Sequence, residues 1–401
     1  MDEASLRNIV ETAIGKMNGI LYLRPCWVAR DFLPPGKRLG LIEEEYNVGE
    51  RGFISERWLG SETTADNRIG PEDEGLSYLE IEGENILLKD AVNACGSLIM
   101  GNQYAKTHKG LGRLAKIYDY DSRIFYHIHQ KKEDADKVGK NPKEEAYYFI
   151  ENADMGKHPE TFFGVHPYLV EQGKQFETLL PYLVEWKNDL ILKHARAYLN
   201  VAGEGFHLPA GVLHAPGTAL TLELQEASDV FAMLQAELNG KIHSKELLFK
   251  DVLKEDRKRY GERAILDQID WKICGDPYFY ENRHTEPHLI EETKQDGGFE
   301  EWIYYNTTKF SGKKVTVKTK NIFRSKDNGV YNILVWKGRG KIDGHEIEGK
   351  YFGTDETLVT YDKAVNGFDI ENTGTENLVL FKFFGPDINT DIPYIKPYKG
   401  L

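Results

Sequence analysis

Three histidines and one glutamate have the residue types and the order that bind a divalent cation. Alternation across residues 124–129 is typical of a β-strand, so the imidazoles of His127 and His129 leave the same face, about 7 Å apart. Glu145 lies in a second strand-like run, and His214 ends a glycine-bounded turn. The His-x-His pair alone is more typical of packing or solvation. Together with Glu145 and His214 it predicts a site for a borderline cation such as zinc, with positions left open for water or substrate oxygens.

A polar strand face follows His214 and holds the candidates for proton transfer. Thr221, Glu223 and Gln225 alternate with leucines, and Glu223 is the candidate general base, against the alternative of a plain hydrogen-bonded glutamate. Lys143 is a second candidate catalytic residue. Lys143 and Lys116 could bind substrate hydroxyls or an anion, with a salt bridge as the alternative for each.

Composition and charge exclude several classes of partner. The 401-residue chain is 40% hydrophobic, which is typical of a globular protein, and long enough for two or three modules. Its net charge of -13 argues against nucleic acid or an anionic membrane as the main partner. The three cysteines lack metal or disulfide spacing, and no run reaches membrane-spanning length, so we expect a cytoplasmic protein. No pattern specifies an oligomeric state.

The order His-x-His, Glu and Pro-x-Gly-x-x-His resembles the metal signature of the cupin β-barrels, and more narrowly that of the type I mannose-6-phosphate isomerases. The narrower resemblance is carried by Lys143-Glu144-Glu145, the turn from Pro209 to Ala215, Glu223 at nine residues after His214, and Ser228-Asp229. It covers about the middle third of the chain. It implies that His127, His129, Glu145 and His214 are the metal ligands, with Glu144 facing outward.

The resemblance implies a mostly β fold with helical insertions, built on two cupin barrels of the double-stranded β-helix or jelly-roll type. Residues 1–110 are then an N-terminal helix, expected over residues 2–18, with strands packing on the barrels. Residues 111–240 form the metal-binding barrel, interrupted by helices at about 168–194, and the gap at 131–142 is a loop. Residues 241–299 form a helical connection. Residues 300–401 form a second barrel, expected to be metal-free and structural.

The implied activity is a metal-dependent aldose–ketose isomerisation of mannose 6-phosphate and fructose 6-phosphate, or of a close sugar relative, through an enediol. Zinc is the expected metal, with Mn²⁺, Fe²⁺ or Ni²⁺ as alternatives, and the partner is a small sugar or sugar phosphate. Polarising a carbonyl acidifies the neighbouring C–H and stabilises the enediolate, which is what this reaction needs.

Two positions depart from the family. His127 stands where the family often has Gln, and Met233 stands where it has an Arg that points into the site. A cation from the helix that follows, Arg257, Lys258, Arg259 or Arg263, could replace that Arg, and Arg263 is the candidate substrate-binding residue. Three alternatives therefore remain: an isomerase of an unphosphorylated mannose- or lyxose-type sugar, a cupin enzyme that runs oxygen chemistry, and a non-catalytic sugar-binding cupin.

Overall fold

The chain forms two units in a computed structural model that describes residues 2–151 and 153–398. The histidine unit, as we call it, consists of Ala29–Ser55, Tyr118–Thr285 and Ile395–Leu401. The lysine unit consists of Met1–Val28, Glu56–Ile117 and Glu286–Tyr394. Three boundaries between the units fall within strands, Cys26–Arg30, Phe53–Leu59 and Arg113–Tyr118, and two more follow Thr285 and Tyr394.

Antiparallel strands form the β part of the histidine unit. Five strands make one sheet, in the spatial order Arg196–Leu199, Glu160–Phe163, His214–Ala215, His127–Ile128 and Ala232–Met233. Four more are neighbours in the order His284–Thr285, Gly205–Leu208, Glu145–Phe149 and Thr221–Glu226. A two-stranded ribbon joins Glu237–Leu238 to Lys241–Ile242.

The register of two strands in the second group aligns the candidate chemistry. Gln225 lies opposite Glu145, and Glu223 lies opposite Tyr147. Directly opposed residues of an antiparallel pair project from the same face, so these side chains share one side of the sheet. Residues 145–149 are all buried, which explains why this run is rich in aromatic residues on both faces.

Helices of the histidine unit fall mainly in two stretches. Pro167–Glu171, Gln175–Glu185 and the 3-10 turn Leu190–His194 occupy the stretch where the sequence predicts helices at about 168–194. The remaining elements are Lys132–Ala135, Lys254–Tyr260, Arg263–Gln268, Trp271–Cys274 and Phe279–Arg283, with 3-10 turns at Glu43–Glu45, Gly49–Arg51, Asp136–Val138 and Lys245–Leu248. The prediction of an unstructured loop at residues 131–142 is wrong in part, because Asp134 and Ala135 are buried and anchor a short helix there.

The lysine unit contains two larger sheets. The seven-stranded sheet has the order Ile20–Tyr22, Glu356–Val359, Tyr331–Lys337, Leu378–Phe384, Ser311–Val317, Gly298–Tyr304 and His288–Leu289. The four-stranded sheet has the order Ile322–Ser325, Phe368–Asn372, Arg339–Ile342 and His345–Glu348, and a separate hairpin joins Tyr78–Ile81 to Glu84–Leu87. Its helical elements are Glu3–Lys16, Leu88–Met100, Asn102–Thr107, Tyr361–Asn366 and the 3-10 turn Glu291–Thr293.

The first helix begins and ends for reasons visible in the sequence. Asp2 caps it by accepting a hydrogen bond from the backbone N–H of Ser5, and Lys16 in the last turn complements the helix dipole. Val10 and Ala13 are its buried residues and join the core of the lysine unit. The helix spans Glu3–Lys16, close to the predicted 2–18.

Two lysines and two acids neutralise one another inside the lysine unit. The Lys382 ammonium, fully buried, contacts Glu300 at 2.5 Å, Asp327 at 2.6 Å and the Ser325 hydroxyl at 2.7 Å. Lys313 lies 2.6 Å from the other oxygen of Asp327 and 3.1 Å from that of Glu300. Buried charges are tolerated when they are paired and hydrogen-bonded, which this group achieves with zero net charge. We call these residues the lysine cluster.

The predicted class, mostly β with helices, is confirmed: antiparallel sheets carry both units and helices lie between the strands. Among residues 2–151 and 153–398, no helix combines the length and the apolar character that crossing a membrane requires.

Candidate metal centre

Short paired strands bring the three histidines together. His214 lies directly opposite His127 in the five-stranded sheet, and their ring centroids are 4.0 Å apart. His129 comes two residues after His127, and its ring centroid is 4.7 Å from that of His127 and 5.0 Å from that of His214. All three side chains are buried, and each offers a ligand atom within 4.8 Å of the others. The arrangement is close enough for one ion.

Backbone carbonyls fix the orientation of each imidazole. The Nδ1 of His127 lies 2.7 Å from the Phe125 carbonyl, that of His129 lies 2.7 Å from the Val230 carbonyl, and that of His214 lies 2.8 Å from the Val212 carbonyl. A carbonyl only accepts, so each Nδ1 must carry the proton and donate it. Each Nε2 of the neutral ring then presents a lone pair, which is how metal-binding histidines are commonly oriented.

The carboxylate of Glu145 faces two of these lone pairs. One oxygen, Oε1, lies 3.0 Å from Nε2 of His214, and the other, Oε2, lies 3.0 Å from Nε2 of His129. The His214 Nε2 is buried and forms no hydrogen bond with any described residue. Two acceptors at such a distance repel one another unless a positive charge lies between them, and the Lys143 ammonium supplies that charge for His129 but not for His214. Ligands that bond one tetrahedral zinc at about 2.0–2.1 Å are themselves about 3.3 Å apart, so three imidazoles and this carboxylate fit the ion.

Electrostatics keep these groups in their ligand forms. Burial lowers the pKa of His129 to about 3, and the Lys143 ammonium acts in the same direction. Burial, with His214 and His129 adding to it, lowers the pKa of His127 well below its ordinary value. Burial raises the pKa of Glu145, but Lys143 and the imidazoles outweigh it and hold that pKa well below its usual range. Neutral imidazole and ionised carboxylate are the forms that bind metal.

Lys143 lies between the candidate ligands and the candidate base. Its ammonium is 2.9 Å from Oε2 of Glu145, 3.0 Å from Nε2 of His129 and 3.4 Å from Oε1 of Glu223. Burial lowers the pKa of Lys143, but the two carboxylates outweigh it and raise that pKa above its ordinary value. The structure therefore places Lys143 against two of the four candidate ligands, Glu145 and His129, and Glu223 against Lys143.

Tyr147 also belongs to this group, and the sequence analysis did not single it out. Its hydroxyl donates to Oε1 of Glu145, the oxygen that faces His214. Burial, and then the charge of Glu145, raise the pKa of Tyr147 well above its ordinary value, so the phenol keeps its proton at neutral pH. The signal that could have found it is the strand period of two, which puts Glu145 and Tyr147 on one face.

The remaining predicted substrate-binding residues, Arg263 and Lys116, have acidic partners of their own. Arg263 has a side chain that is 58% exposed, with its guanidinium 3.6 Å from Asp267 and over the ring of Phe176. Lys116 is buried in the lysine unit, where its ammonium lies 3.9 Å from Glu56.

The structure also places Met233, which departs from the family, and Glu144, which was expected to face outward. Met233 is fully buried and lies directly opposite His127. The expectation that Glu144 faces outward is wrong, because its side chain is buried. Its carboxylate lies 2.9 Å from Nε2 of His207, which is also buried.

Comparison with solved structures identifies the fold. The mannose 6-phosphate isomerase from Bacillus subtilis superposes with a TM-score of 0.62 at 15% identity, over 91% of this chain and 99% of that chain. A variant of the phosphomannose isomerase from Salmonella typhimurium gives a TM-score of 0.60 at 11% identity, over 92% and 100%. This chain has the fold of the cupin-type mannose-6-phosphate isomerases.

A zinc-bound mannose 6-phosphate isomerase shares the same fold, with a TM-score of 0.58 at 12% identity, over 92% of this chain and 100% of that chain. Comparisons by sequence alone match no protein-family model and no curated protein. The mannose-6-phosphate isomerase fold, predicted from a handful of motif residues, is therefore confirmed by structure where sequence similarity is low.

Proposed function

We propose that this protein is a zinc-dependent aldose–ketose isomerase that interconverts mannose 6-phosphate and fructose 6-phosphate. The observation that carries the proposal is the convergence of His129 and His214 on the two oxygens of Glu145, each at 3.0 Å, with His127 beside them. The isomerase names of the fold neighbours, one of them zinc-bound, support the same reaction class. Mn²⁺, Fe²⁺ and Ni²⁺ suit the same donor set.

The residues around the centre can perform the proton transfer. Bound zinc would supply Lewis acidity for a sugar carbonyl. Glu223 takes the proton from C2 of the open-chain aldose and returns it to C1, while the hydroxyl proton on O2 moves to O1. Lys143, 3.4 Å from Glu223, holds that carboxylate in place and offers hydrogen bonds to sugar oxygens.

A second candidate substrate is an unphosphorylated sugar of the mannose or lyxose type. Met233 supports it, because this buried thioether stands where the family has a guanidinium, and a phosphate is best bound by such a fork. Arg263, the predicted replacement, is 58% exposed and paired with Asp267. A non-catalytic sugar-binding cupin and an oxygen-activating cupin are the remaining alternatives, and both lack a use for the Glu223–Lys143 pair.

We further propose that each unit contains one cupin barrel, the metal-binding one within residues 111–240 and the metal-free one within residues 300–401. Residues 1–110 would then pack on the barrels and residues 241–299 would connect them. The sheets of each unit supply the strands that such barrels need. A cytoplasmic location is consistent with Cys26, Cys95 and Cys274, which are all unpaired.

The decisive experiment combines metal analysis with a substrate panel. We expect one zinc per chain and turnover of mannose 6-phosphate, with C2 hydrogen exchanging with solvent deuterium. His214→Ala should lose metal and turnover together, because it removes one of four ligands, whereas His288→Ala, at an exposed histidine, should keep both. Turnover of free hexoses or pentoses alone would select the second candidate. A zinc content in His214→Ala equal to that of the wild type would contradict the proposed metal centre.

A further inference from the structure

We propose that Tyr147 is a positioning residue of the metal centre, whose hydroxyl fixes the carboxylate of Glu145 for the ion. The inference rests on the proposed function only in requiring that the four ligands bind zinc. Tyr147 acts through Glu145, and touches neither substrate nor metal.

Contacts of the Tyr147 side chain fix the orientation of its hydroxyl. The hydroxyl donates to Oε1 of Glu145, and a carboxylate only accepts, so the direction of the bond is unambiguous. The ring is buried and packs edge-on against Tyr118, with centroids 6.0 Å apart and planes at 83°. Its backbone lies between Phe206 on one neighbouring strand and Glu223 on the other. The hydroxyl thus has little freedom to leave the carboxylate.

Lys143 and Tyr147 hold opposite ends of the same carboxylate. Lys143 lies 2.9 Å from Oε2, while Tyr147 donates to Oε1. A carboxylate held at one oxygen can rotate about its terminal bond, whereas one held at both cannot. Its oxygens therefore already face His129 and His214 before an ion arrives. Hydrogen-bond partners of this kind typically change metal affinity by about 10–100-fold when they are removed.

The alternation of the strand provides a matched control. Tyr148 is the next residue, is equally buried, and projects from the opposite face of the Glu145–Phe149 strand. Tyr147→Phe and Tyr148→Phe each remove one buried phenolic oxygen from the same strand. The two variants therefore share any general cost to packing, and they differ in the contact with Glu145.

Zinc affinity of the apo-protein, measured by competition with a chromophoric chelator, tests the proposal without any sugar. We expect Tyr147→Phe to bind zinc about 10–100-fold more weakly than the wild type, and Tyr148→Phe to bind it as the wild type does. At saturating zinc, kcat and KM of Tyr147→Phe should return to the wild-type values.

Two results would overturn the proposal. Equal zinc affinity in the two Phe variants would show that the hydroxyl does not position Glu145. A raised KM that persists at saturating zinc would place Tyr147 against the sugar instead. His214→Ala distinguishes these results from failure of the metal centre. If His214→Ala binds zinc like the wild type, the proposed function fails. If Tyr147→Phe binds zinc like the wild type and His214→Ala does not, only the positioning role fails.

Discussion

Imidazole orientation in this site is encoded within two residues of the ligands. His127 donates to the carbonyl of Phe125 and His214 to that of Val212, each two positions earlier in the chain. Local backbone geometry thus presets two Nε2 lone pairs before any long-range contact forms. Only His129, which donates to Val230, depends on a distant segment. This explains why a short motif points to the centre so well.

Glu223→Gln should separate metal binding from catalysis. The amide keeps the size of the side chain but cannot accept a proton, so we expect wild-type zinc content and a turnover rate lower by about 10²–10⁴-fold. The rate of C2 hydrogen exchange at saturating zinc measures the loss of proton transfer. Glu171→Gln, at an exposed position of the same unit, is the control. A Glu223→Gln enzyme at full speed would exclude this carboxylate as the base.

Contacts between distant residues that share no motif were beyond prediction. The period of a strand and the resemblance of short motifs predicted which groups would surround the centre. The same period could not place Arg263, because its partner Phe176 lies on another helix and that contact depends on helix packing. Nor could it reveal the lysine cluster, in which Glu300 and Lys382 are 82 positions apart. Such pairings follow from topology, which no local pattern contains.

At the scale of elements, one glycine lets two strands of the site approach. A Cβ at Gly205 would lie 1.9 Å from the backbone carbonyl oxygen of Tyr147 and 3.0 Å from the hydroxyl of Thr285. Gly205 pairs with Tyr148 and Thr285 on its two sides. The absence of a side chain therefore sets how closely the strand of Glu145 is held.

Gly205→Ala should disturb that strand. Relief of the clash requires backbone movement, which costs about 1–3 kcal/mol in a well-packed interior. We expect a lower free energy of unfolding together with weaker zinc binding, measured by denaturant titration and chelator competition. Gly15→Ala is the control, because a Cβ there has no described atom within 4 Å and alanine favours the helix by about 0.5–1 kcal/mol. Wild-type stability in Gly205→Ala would contradict the role of close approach.

Over the whole molecule, the two units neutralise their interior acids in different ways. In the histidine unit, we propose, Glu145 shares a zinc ion with three imidazoles. In the lysine unit, Glu300 and Asp327 are paired with Lys313 and Lys382. The sequence analysis expected the second barrel to be structural. The lysine cluster is consistent with a structural role, because its charges sum to zero without a ligand.

Removal of metal should therefore loosen one unit only. A ligand present at 100–1,000 times its dissociation constant stabilises the state that binds it by about 2.7–4.1 kcal/mol. Treatment with a chelator should accelerate amide hydrogen exchange in the strands Glu145–Phe149 and His214–Ala215. Exchange in Leu378–Phe384, which carries Lys382, should not change.

The control for that measurement is a variant of the lysine cluster. Lys382→Met leaves two buried carboxylates with one ammonium, and breaking a buried ion pair typically costs about 3–5 kcal/mol. We expect faster exchange in Leu378–Phe384 and unchanged zinc affinity. Equal acceleration of both units by the chelator would contradict this independence.

An ammonium group tethered to the backbone cannot diffuse away or be captured by a competing protein. Lys313 and Lys382 are thus made with the chain and are present from the moment it is synthesised. The lysine cluster therefore balances its charges without a bound ion. If the proposed zinc centre exists, scarcity of zinc in a cell would empty it while the lysine cluster stayed intact, and the returning metal would then need to restore only the histidine unit.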